Sequence, residues 1–213
     1  MKYSAIIVAA GSGKRMGLGY NKVFYPLFDG KTILEKTMQI FEKDKDCQQL
    51  IVVADSEDYR RDINHYCDKL VLVDGGEQRQ DSVSCGLSAV TEEVVLIHDG
   101  ARPYLTEACL ERLKNAMESA SAAILAIPCK DTIKIVVGEV IEATLPRELL
   151  YHAQTPQAFK TGLLKKCYEM ASSAKVQVTD DASVVEEFSD EIVQVVLGDE
   201  SNIKITTIND IEK

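Results

Sequence analysis

The chain has 213 residues, 46% of them hydrophobic and 27% charged, which predicts one folded domain with an appendage over residues 1–213 and excludes a disordered chain. Its formal net charge of −10 argues against nucleic acid or an anionic membrane as a partner. No apolar run is long enough to span a bilayer, the N-terminus lacks a signal-peptide pattern, and the scattered cysteines and histidines suggest neither disulfides nor a zinc site, so we expect a cytoplasmic protein.

The first predicted element is a buried strand that opens at residue 9 into a loop with the sequence Ala-Ala-Gly-Ser-Gly-Lys-Arg. Glycine lets backbone N–H groups approach oxygen atoms closely, so the loop is interpreted as a phosphate-binding loop. The alternative is a plain turn between strand and helix. Lys14, Arg15 and the nearby Lys22 favour phosphate, because close cations repel each other unless an anion or water lies among them.

Two common phosphate-binding loops do not fit this stretch. A Walker loop needs glycine at position 8 and Ser or Thr at position 15, where the chain has Val8 and Arg15. The dinucleotide fingerprint needs a third glycine at position 16, which is Met16. An NAD-dependent oxidoreductase is therefore a distant alternative.

Predicted strands and helices then alternate along the chain. Helices are predicted at residues 33–41, after a Thr32–Glu35 capping box, and at 56–65 and 107–119, with strands at 50–54, 70–73, 94–99 and 122–128. This alternation predicts an α/β fold with a doubly wound, mostly parallel sheet. Ligands are expected at the carboxyl ends of its strands.

A second glycine loop follows the third strand. Gly75 and Gly76 are followed by Asp81 and Ser82, either of which suits a helix N-cap. The pattern predicts open N–H groups facing the same crevice as the first loop, with a plain turn plus cap as the alternative.

The fourth strand ends in an acid and a base. Asp99 and Arg102 could form a surface ion pair of little value, but their position at the carboxyl end of a central strand favours a site.

Residues 131–137 and 140–145 predict a β-hairpin around Gly138-Glu139. Isolated ribbons are marginal in water, so this arm at about residues 130–150 is expected to pack on something. Residues 154–159 and a helix at 163–170 are expected to return to the core, and residues 179–183 to open another helix. Near the end, Lys204 alternates with isoleucines and could be an exposed strand lysine.

Taken together, these motifs resemble those of sugar-phosphate nucleotidyltransferases, specifically the 2-C-methyl-D-erythritol 4-phosphate cytidylyltransferase family of the non-mevalonate isoprenoid pathway. The matching stretches cover nearly the whole chain: Ala-Ala-Gly-x-Gly-x-Arg-Met-Gly with Asn-Lys-Val-Phe, Gly-Gly-x-x-Arg-x-Asp-Ser-Val, His-Asp-Gly-Ala-Arg-Pro, the arm motifs Asp-Thr-Ile-Lys and Thr-Leu-x-Arg, and Gly-Asp-x-x-Asn-Ile-Lys-Ile-Thr. The resemblance implies a Rossmann-like nucleotidyltransferase fold with a protruding β-arm. It also implies transfer of CMP from CTP to the polyol phosphate, with release of pyrophosphate.

The resemblance also implies roles for individual residues. Catalytic roles fall on Arg15, Lys22, Arg147 and Lys204; nucleotide binding on Ala9, Ala10, Gly11, Ser12, Gly13, Gly75, Gly76, Glu77 and Ser82; and polyol binding on Asp99, Arg102, Thr132 and Thr179. Mg²⁺ is implied as a cofactor held mainly by the CTP phosphates, with Asp99 as its candidate protein ligand. A homodimer with exchanged arms is implied as well, in which Thr132 and Arg147 serve the partner's site. His98 is treated as structural.

Two alternatives remain beside this family. Ribitol-5-phosphate cytidylyltransferases tend to have Ser-Val where this chain has Gly100 and Ala101, and Ala-Gly-Gly in the first loop. A non-catalytic nucleotide sensor on the same fold is the other, although the charged motif residues are retained. One departure from the family pattern is Pro146, where the family usually has Asp.

Overall fold

The computed structural model describes residues 1–11, 19–63 and 67–211. Its strands are β1 (Tyr3–Val8), β2 (Cys47–Val53), β3 (Leu70–Val73), β4 (Val94–Asp99), β5 (Ala122–Pro128), β6 (Lys134–Val137), β7 (Val140–Thr144), β8 (Tyr151–Lys160) and β9 (Val193–Leu197). Its α-helices are α1 (Ile33–Lys43), α2 (Ser56–Asp62), α3 (Arg79–Ser88), α4 (Glu107–Ala116), α5 (Thr161–Ala174) and α6 (Asp181–Phe188).

Seven strands form one sheet in the order β3-β2-β1-β4-β8-β5-β9. The pairs β1–β2, β2–β3, β1–β4 and β5–β9 are parallel. Strand β8 is antiparallel to both β4 and β5 and lies between them. The sheet is thus mostly parallel, as predicted, and β8 is its antiparallel strand. Tyr151, the first residue of β8, pairs with Pro128, the last residue of β5. After the β6–β7 ribbon, the chain therefore runs back antiparallel to β5.

Helices cover both faces of the sheet, which confirms the doubly wound, mostly parallel architecture. On one face, Met38 and Phe41 of α1 pack with Leu113 of α4. On the other, Val83 of α3 packs with residues of α5 and α6. The central strand β1 contributes side chains to both layers and is almost wholly buried, as expected for a strand covered on both faces.

Several predicted element ends shift. The Thr32–Glu35 capping box is confirmed, since Thr32 Oγ1 accepts from the Glu35 N–H at 3.1 Å and Glu35 accepts from the Thr32 N–H at 2.7 Å. The helix predicted at 56–65 ends at Asp62 because Ile63 is extended, and the predicted 64–65 lie outside the described residues. Helix α4 ends three residues early, and α5 is longer than predicted at both ends.

The N-cap of α3 is Gln78, so the assignment of Asp81 or Ser82 to that position is wrong. Asp81 instead accepts from the Gln78 N–H at 3.0 Å from within the first turn. The N-cap therefore lies three residues before Asp81 and four before Ser82, closer to the glycine pair than predicted.

The predicted hairpin is confirmed as the ribbon β6–β7, which turns at Gly138 with φ of 60°. Five apolar side chains on this ribbon are between 42% and 69% exposed, namely Ile135, Val136, Val137, Val140 and Ile141. Within the described chain, the ribbon forms a separate two-stranded sheet.

The segment after β9 runs as a loop across the carboxyl ends of the strands. It is anchored by the Ile205 N–H, which donates to the Ala101 carbonyl at 2.8 Å. Lys204 therefore lies in a loop, and the alternative of a strand lysine is wrong. Across the described residues, no helix has the length and apolar character needed to cross a membrane.

Candidate active site

A cavity of about 420 Å³ lies at the carboxyl ends of β1 and β4. Its walls come from the start of the first glycine loop, residues 21–23, the second glycine loop, the end of β4, and Lys204. Parallel strands end at this edge of the sheet, which explains why motifs far apart in sequence meet there.

The start of the first loop, at Ala9, is held by a backbone contact and by Asn21. The Ala9 N–H donates to the Val53 carbonyl at 2.8 Å, and Asn21 Nδ2 donates to the Ala9 carbonyl at 2.5 Å. Ala9, Ala10 and Gly11 all line the cavity, and their contact with the nucleotide stays a prediction. The predicted residues Ser12, Gly13 and Arg15 lie outside the described part of the chain.

Lys22 lines the same cavity although its residue is only 8% exposed. Its Nζ donates to the Ile205 carbonyl at 2.6 Å, across 183 positions of sequence. This contact ties the first loop region to the segment that carries Lys204. A buried ammonium in a defined position is suited to act on a negative charge that develops nearby.

The second loop approaches the first so closely that glycine is required. A Cβ at Gly75 would overlap the Cβ of Ala10, and one at Gly76 would overlap the Cβ of Asp81. The Ser82 hydroxyl accepts from the Gly76 N–H at 3.2 Å and donates to the Gln78 carbonyl at 3.0 Å. Ser82 thus fixes the shape of the loop, and its contact to the base stays a prediction. Glu77 is exposed and lines the cavity.

Asp99 is the centre of charge in the cavity. Its Oδ2 lies 2.8 Å from Lys204 Nζ and 3.6 Å from Arg102 Nε, and its Oδ1 lies 3.6 Å from Arg79 Nε. Burial opposes ionisation of this carboxyl, yet the three cations hold its pKa well below the usual range. Asp99 is therefore a carboxylate at neutral pH.

Arg102 lies behind Asp99 and outside the residues that line the cavity. Its side chain is 12% exposed, and Nη1 donates to the Asn202 carbonyl at 2.6 Å. Burial lowers the pKa of Arg102, while Asp99 opposes that shift. Arg102 thus clamps the loop of Lys204 to the end of β4, and its predicted contact with the polyol stays a prediction.

His98 is fully buried and serves the backbone around Asp99. Its Nε2 faces the Arg102 carbonyl at 3.1 Å, and its Nδ1 lies 2.9 Å from Thr155 Oγ1, which accepts from the Asp99 N–H at 3.0 Å. Burial lowers the pKa of His98 to about 4, so the ring is neutral at pH 7. A carbonyl can only accept, so Nε2 carries the proton and Nδ1 accepts from the Thr155 hydroxyl. This arrangement agrees with a structural His98.

Arg79 lines the cavity, and sequence reasoning gave it no role. Its guanidinium forms two hydrogen bonds with Asp181, from Nη1 to Oδ1 at 3.2 Å and from Nη2 to Oδ2 at 2.7 Å. Its position as the arginine of the Gly-Gly-x-x-Arg motif could have identified it as a site residue from the sequence. Asn21 was also missed, although it directly precedes Lys22.

Of the predicted site residues that the structure describes, five do not line the cavity of this chain: Gly75, Arg102, Thr132, Arg147 and Thr179. Thr132 and Arg147 are exposed at the arm, where Arg147 Nη1 donates to the Lys130 carbonyl at 2.9 Å. Thr179 is exposed immediately before Asp180, the N-cap of α6. Their predicted roles stay predictions.

A family model, a relative of known sequence and two solved structures indicate the same family. The family model of 2-C-methyl-D-erythritol 4-phosphate cytidylyltransferase matches residues 3–213. The protein of that name from Halalkalibacterium halodurans is 43% identical over 217 residues, covering 99% of this chain and 94% of that protein. The crystal structure of the Francisella tularensis protein of that name has a TM-score of 0.87 at 33% identity, covering 100% of this chain and 97% of that one. The structure of 4-diphosphocytidyl-2C-methyl-D-erythritol synthase from Anaerococcus prevotii has a TM-score of 0.87 at 36% identity, covering 99% and 95%.

Proposed function

The chain belongs to the 2-C-methyl-D-erythritol 4-phosphate cytidylyltransferase family, and on that premise we propose that the cavity between its two glycine loops is where CMP passes from CTP to the polyol phosphate. The chain is a cytidylyltransferase of isoprenoid precursor synthesis, and the reaction releases pyrophosphate. The observation that carries the placement is that the start of the first glycine loop, the second glycine loop, Lys22 and Lys204 meet in one cavity of a chain whose net charge is −10. We extend the proposal to a cytoplasmic location, where CTP is available.

The chemistry asks for positioning and charge stabilisation. An oxygen of the polyol phosphate attacks the α-phosphorus of CTP and forms a new P–O bond while the bond to pyrophosphate breaks. The attacking oxygen is already ionised, so no strong general base is needed. Lys22 would stabilise the charge that develops on the α-phosphoryl group, together with Arg15 from the same loop of the sequence.

Nucleotide recognition falls to the two glycine loops. Backbone N–H groups of a glycine loop can approach a phosphate or a base because no side chain separates them. Ala9, Ala10 and Gly11 would contact the nucleotide from the first loop. Gly76 and Glu77 line the same cavity from the second loop, where the base would bind.

Lys204 would hold the incoming phosphate. Its side chain is 37% exposed and, within the described chain, its one ion pair is with Asp99, so it can turn to an arriving anion. Asp99, freed on that side, would then accept from hydroxyl groups of the polyol. Arg102 would keep the loop of Lys204 in place.

The cavity fits a Mg²⁺ ion that enters with the nucleotide. Among its described lining residues, only Asp99 and Glu77 carry carboxylates, and no group of three or more metal-ligating side chains occurs in the described chain. Mg²⁺ is often bound by one or two carboxylates plus substrate phosphates, so such a set suits it. Asp99 would be the protein ligand, and the ion would neutralise part of the triphosphate charge.

The arm would complete the site from a second copy of the chain. Arg147 and Thr132 do not line their own chain's cavity, yet they match motif positions for substrate contact. The ribbon also exposes five apolar side chains, which a partner subunit would bury. We therefore propose a homodimer with exchanged arms, and a single domain over residues 1–213 in each chain.

Pyrophosphate release tests the proposed function. The purified protein is assayed with each of four nucleoside triphosphates against 2-C-methyl-D-erythritol 4-phosphate and ribitol 5-phosphate. Turnover that requires CTP, prefers the methylerythritol phosphate and is abolished by a metal chelator is expected. Faster turnover of ribitol phosphate would assign the chain to that reaction instead, and nucleotide binding without turnover would make it a sensor.

A further inference from the structure

We propose that Asp181 is a positioning residue that holds Arg79 on one oxygen of Asp99, leaving the other oxygen for Lys204 and then for substrate. The inference rests on the proposed function, because it concerns how the polyol phosphate is received. It gives a role to a buried carboxylate outside the cavity and to an arginine inside it.

Asp181 holds Arg79 firmly. Its side chain is fully buried, and both of its oxygens accept from the guanidinium, at 3.2 Å and 2.7 Å. The Tyr168 hydroxyl donates to Oδ1 of the same carboxylate at 2.6 Å. Such a planar two-point pairing orients a guanidinium as well as attracting it. Burial lowers the pKa of Arg79, but the attraction of Asp181 and Asp99 outweighs this effect and raises it.

The carboxylate of Asp181 is itself held in place by the backbone of α6. Asp181 is the first residue of that helix, and its N–H donates to Gln157 Oε1 at 3.0 Å. Gln157 lies in β8, next to the end of β4 in the sheet. The carboxylate that anchors Arg79 is therefore part of the core. Arg79 could move toward a bound anion only by breaking its two hydrogen bonds with Asp181.

Arg79 also lies beside Asp99, where the two carboxylate oxygens face different cations. Arg79 Nε lies 3.6 Å from Oδ1, whereas Lys204 Nζ lies 2.8 Å from Oδ2. Both cations line the cavity and both would be drawn to phosphate. Only Arg79 has a second buried anion behind it. Under this proposal, Arg79 stays in place and fixes the orientation of Asp99. Lys204 is the cation that leaves Asp99 and binds the substrate.

The test uses the variants Asp181→Asn, Tyr168→Phe and Arg79→Lys in the full-length enzyme, with Asp190→Asn as a control. Asn retains the shape of Asp181 but loses the charge and one acceptor oxygen. We expect Asp181→Asn to raise KM for the polyol phosphate about tenfold or more while KM for CTP stays within about twofold of wild type. Tyr168→Phe should give the same pattern with a smaller loss, and Asp190→Asn should match wild type.

A double variant separates positioning from general damage. If Asp181 acts through Arg79, adding Asp181→Asn to Arg79→Lys should change the polyol KM little further. Additive losses, or equal increases in both KM values in folded Asp181→Asn and Tyr168→Phe, would overturn the proposal. If Asp181→Asn does not fold, the polyol KM of Tyr168→Phe decides, and an unchanged value rejects it.

A structural measurement keeps this inference separate from the proposed function. A wild-type enzyme that does not turn over CTP with the polyol phosphate would reject the function. A crystal structure of substrate-free Asp181→Asn, or of Tyr168→Phe, then tests the positioning itself. We expect the Arg79 guanidinium to be displaced or disordered, and one that keeps its wild-type place beside Asp99 in either variant would reject the inference.

Discussion

Lys204 Nζ lies 2.8 Å from Asp99 Oδ2, while Arg102 Nε stays 3.6 Å from that same oxygen. The side chain of Lys204 is 37% exposed and that of Arg102 is 12% exposed. Oδ2 of Asp99 therefore faces two different cations. Lys204 can leave it for a substrate phosphate, whereas Arg102 is fixed behind it.

Removing Lys204 should impair catalysis and leave stability nearly intact. We expect Lys204→Ala to lower kcat/KM for the polyol phosphate by about two orders of magnitude, because the phosphate loses a direct cation in the transition state. The free energy of unfolding should change by less than about 1 kcal/mol, since Asp99 keeps two other cations. Steady-state kinetics and urea unfolding measure the two quantities. Lys166→Ala, at an exposed lysine outside the cavity, is the matched control and should change neither.

The first loop should affect the chemical step itself. Arg15→Ala and Lys22→Ala are each expected to lower kcat by orders of magnitude, because both residues are proposed to act where charge develops on the α-phosphate. Single-turnover kinetics with saturating CTP and polyol phosphate would measure the step directly. A kcat near that of wild type in both variants would remove this assignment.

Local sequence signals predicted the parts of the fold that depend on near neighbours. The capping box at Thr32 and Glu35 lies where predicted, because both partners are three residues apart. The order of the first three strands follows from βαβ units, which place successive parallel strands beside each other, whereas β4 pairs with β1 on the opposite side from β2. The position of the antiparallel β8 between β4 and β5 could not be predicted, since alternation identifies a strand but not its direction or its neighbours.

The site followed the same rule. Sequence predicted a site at the glycine loops, Lys22 and Asp99 because short motifs carry a local signal, and described residues of these motifs line the cavity. The pair Arg79–Asp181 joins residues 102 positions apart, and neither residue shows its partner in sequence. Lys204 was open to interpretation as a strand residue because its isoleucine neighbours alternate. The contacts that place its loop, from Ala101 and Arg102, are also made only in the folded chain.

Close packing of the two glycine loops predicts a strict size limit at Gly75. A Cβ there would overlap the Cβ of Ala10 and lie 3.0 Å from Ser82 Oγ. We expect Gly75→Ala to lower kcat/KM for CTP by about one to two orders of magnitude, since small displacements of binding groups are costly. Adding Ala10→Gly removes the main overlap and should restore part of the loss.

The control for Gly75→Ala is Gly162→Ala in α5, where an added Cβ has no heavy atom within 4 Å. It should leave kinetic constants for CTP unchanged. If the two glycine variants behaved alike, the close approach of the loops would not be what demands glycine at position 75.

Lys114 offers the opposite case, a charged residue that supports the fold away from the cavity. Its side chain is 6% exposed, and Nζ lies 3.0 Å from Asp44, 2.8 Å from Asp46 and 2.6 Å from Glu111. Burial opposes its charge, but the hydrogen bonds to these carboxylates outweigh burial and raise its pKa. Lys114 thereby ties α4 to the amino end of β2, opposite the cavity.

We expect Lys114→Met to lower the free energy of unfolding by about 2–4 kcal/mol, because it leaves clustered carboxylates without their cation. Two of them are partly exposed, which keeps the loss below that of a fully buried pair. Urea unfolding measures the change, and kcat at a temperature where the variant is folded should match wild type. Lys45→Met, at an exposed neighbouring lysine, should change neither quantity.

The exchanged-arm proposal predicts that Arg147 of each active site comes from the partner chain. Under the exchanged-arm proposal, each site combines Arg15 of one chain with Arg147 of the other, so Arg15→Ala and Arg147→Ala homodimers should both be impaired. Co-refolding the two variants in equal amounts yields mixed dimers in which one site receives both wild-type residues. With random assortment about half the dimers are mixed and one of their two sites is intact, so roughly a quarter of wild-type activity should return.

The assay is pyrophosphate release after refolding, with dimer formation checked by light scattering and each variant refolded alone as control. Confirmed mixed dimers without recovered activity would mean that Arg147 serves its own chain, because every site in the mixture would then lack one of the two arginines.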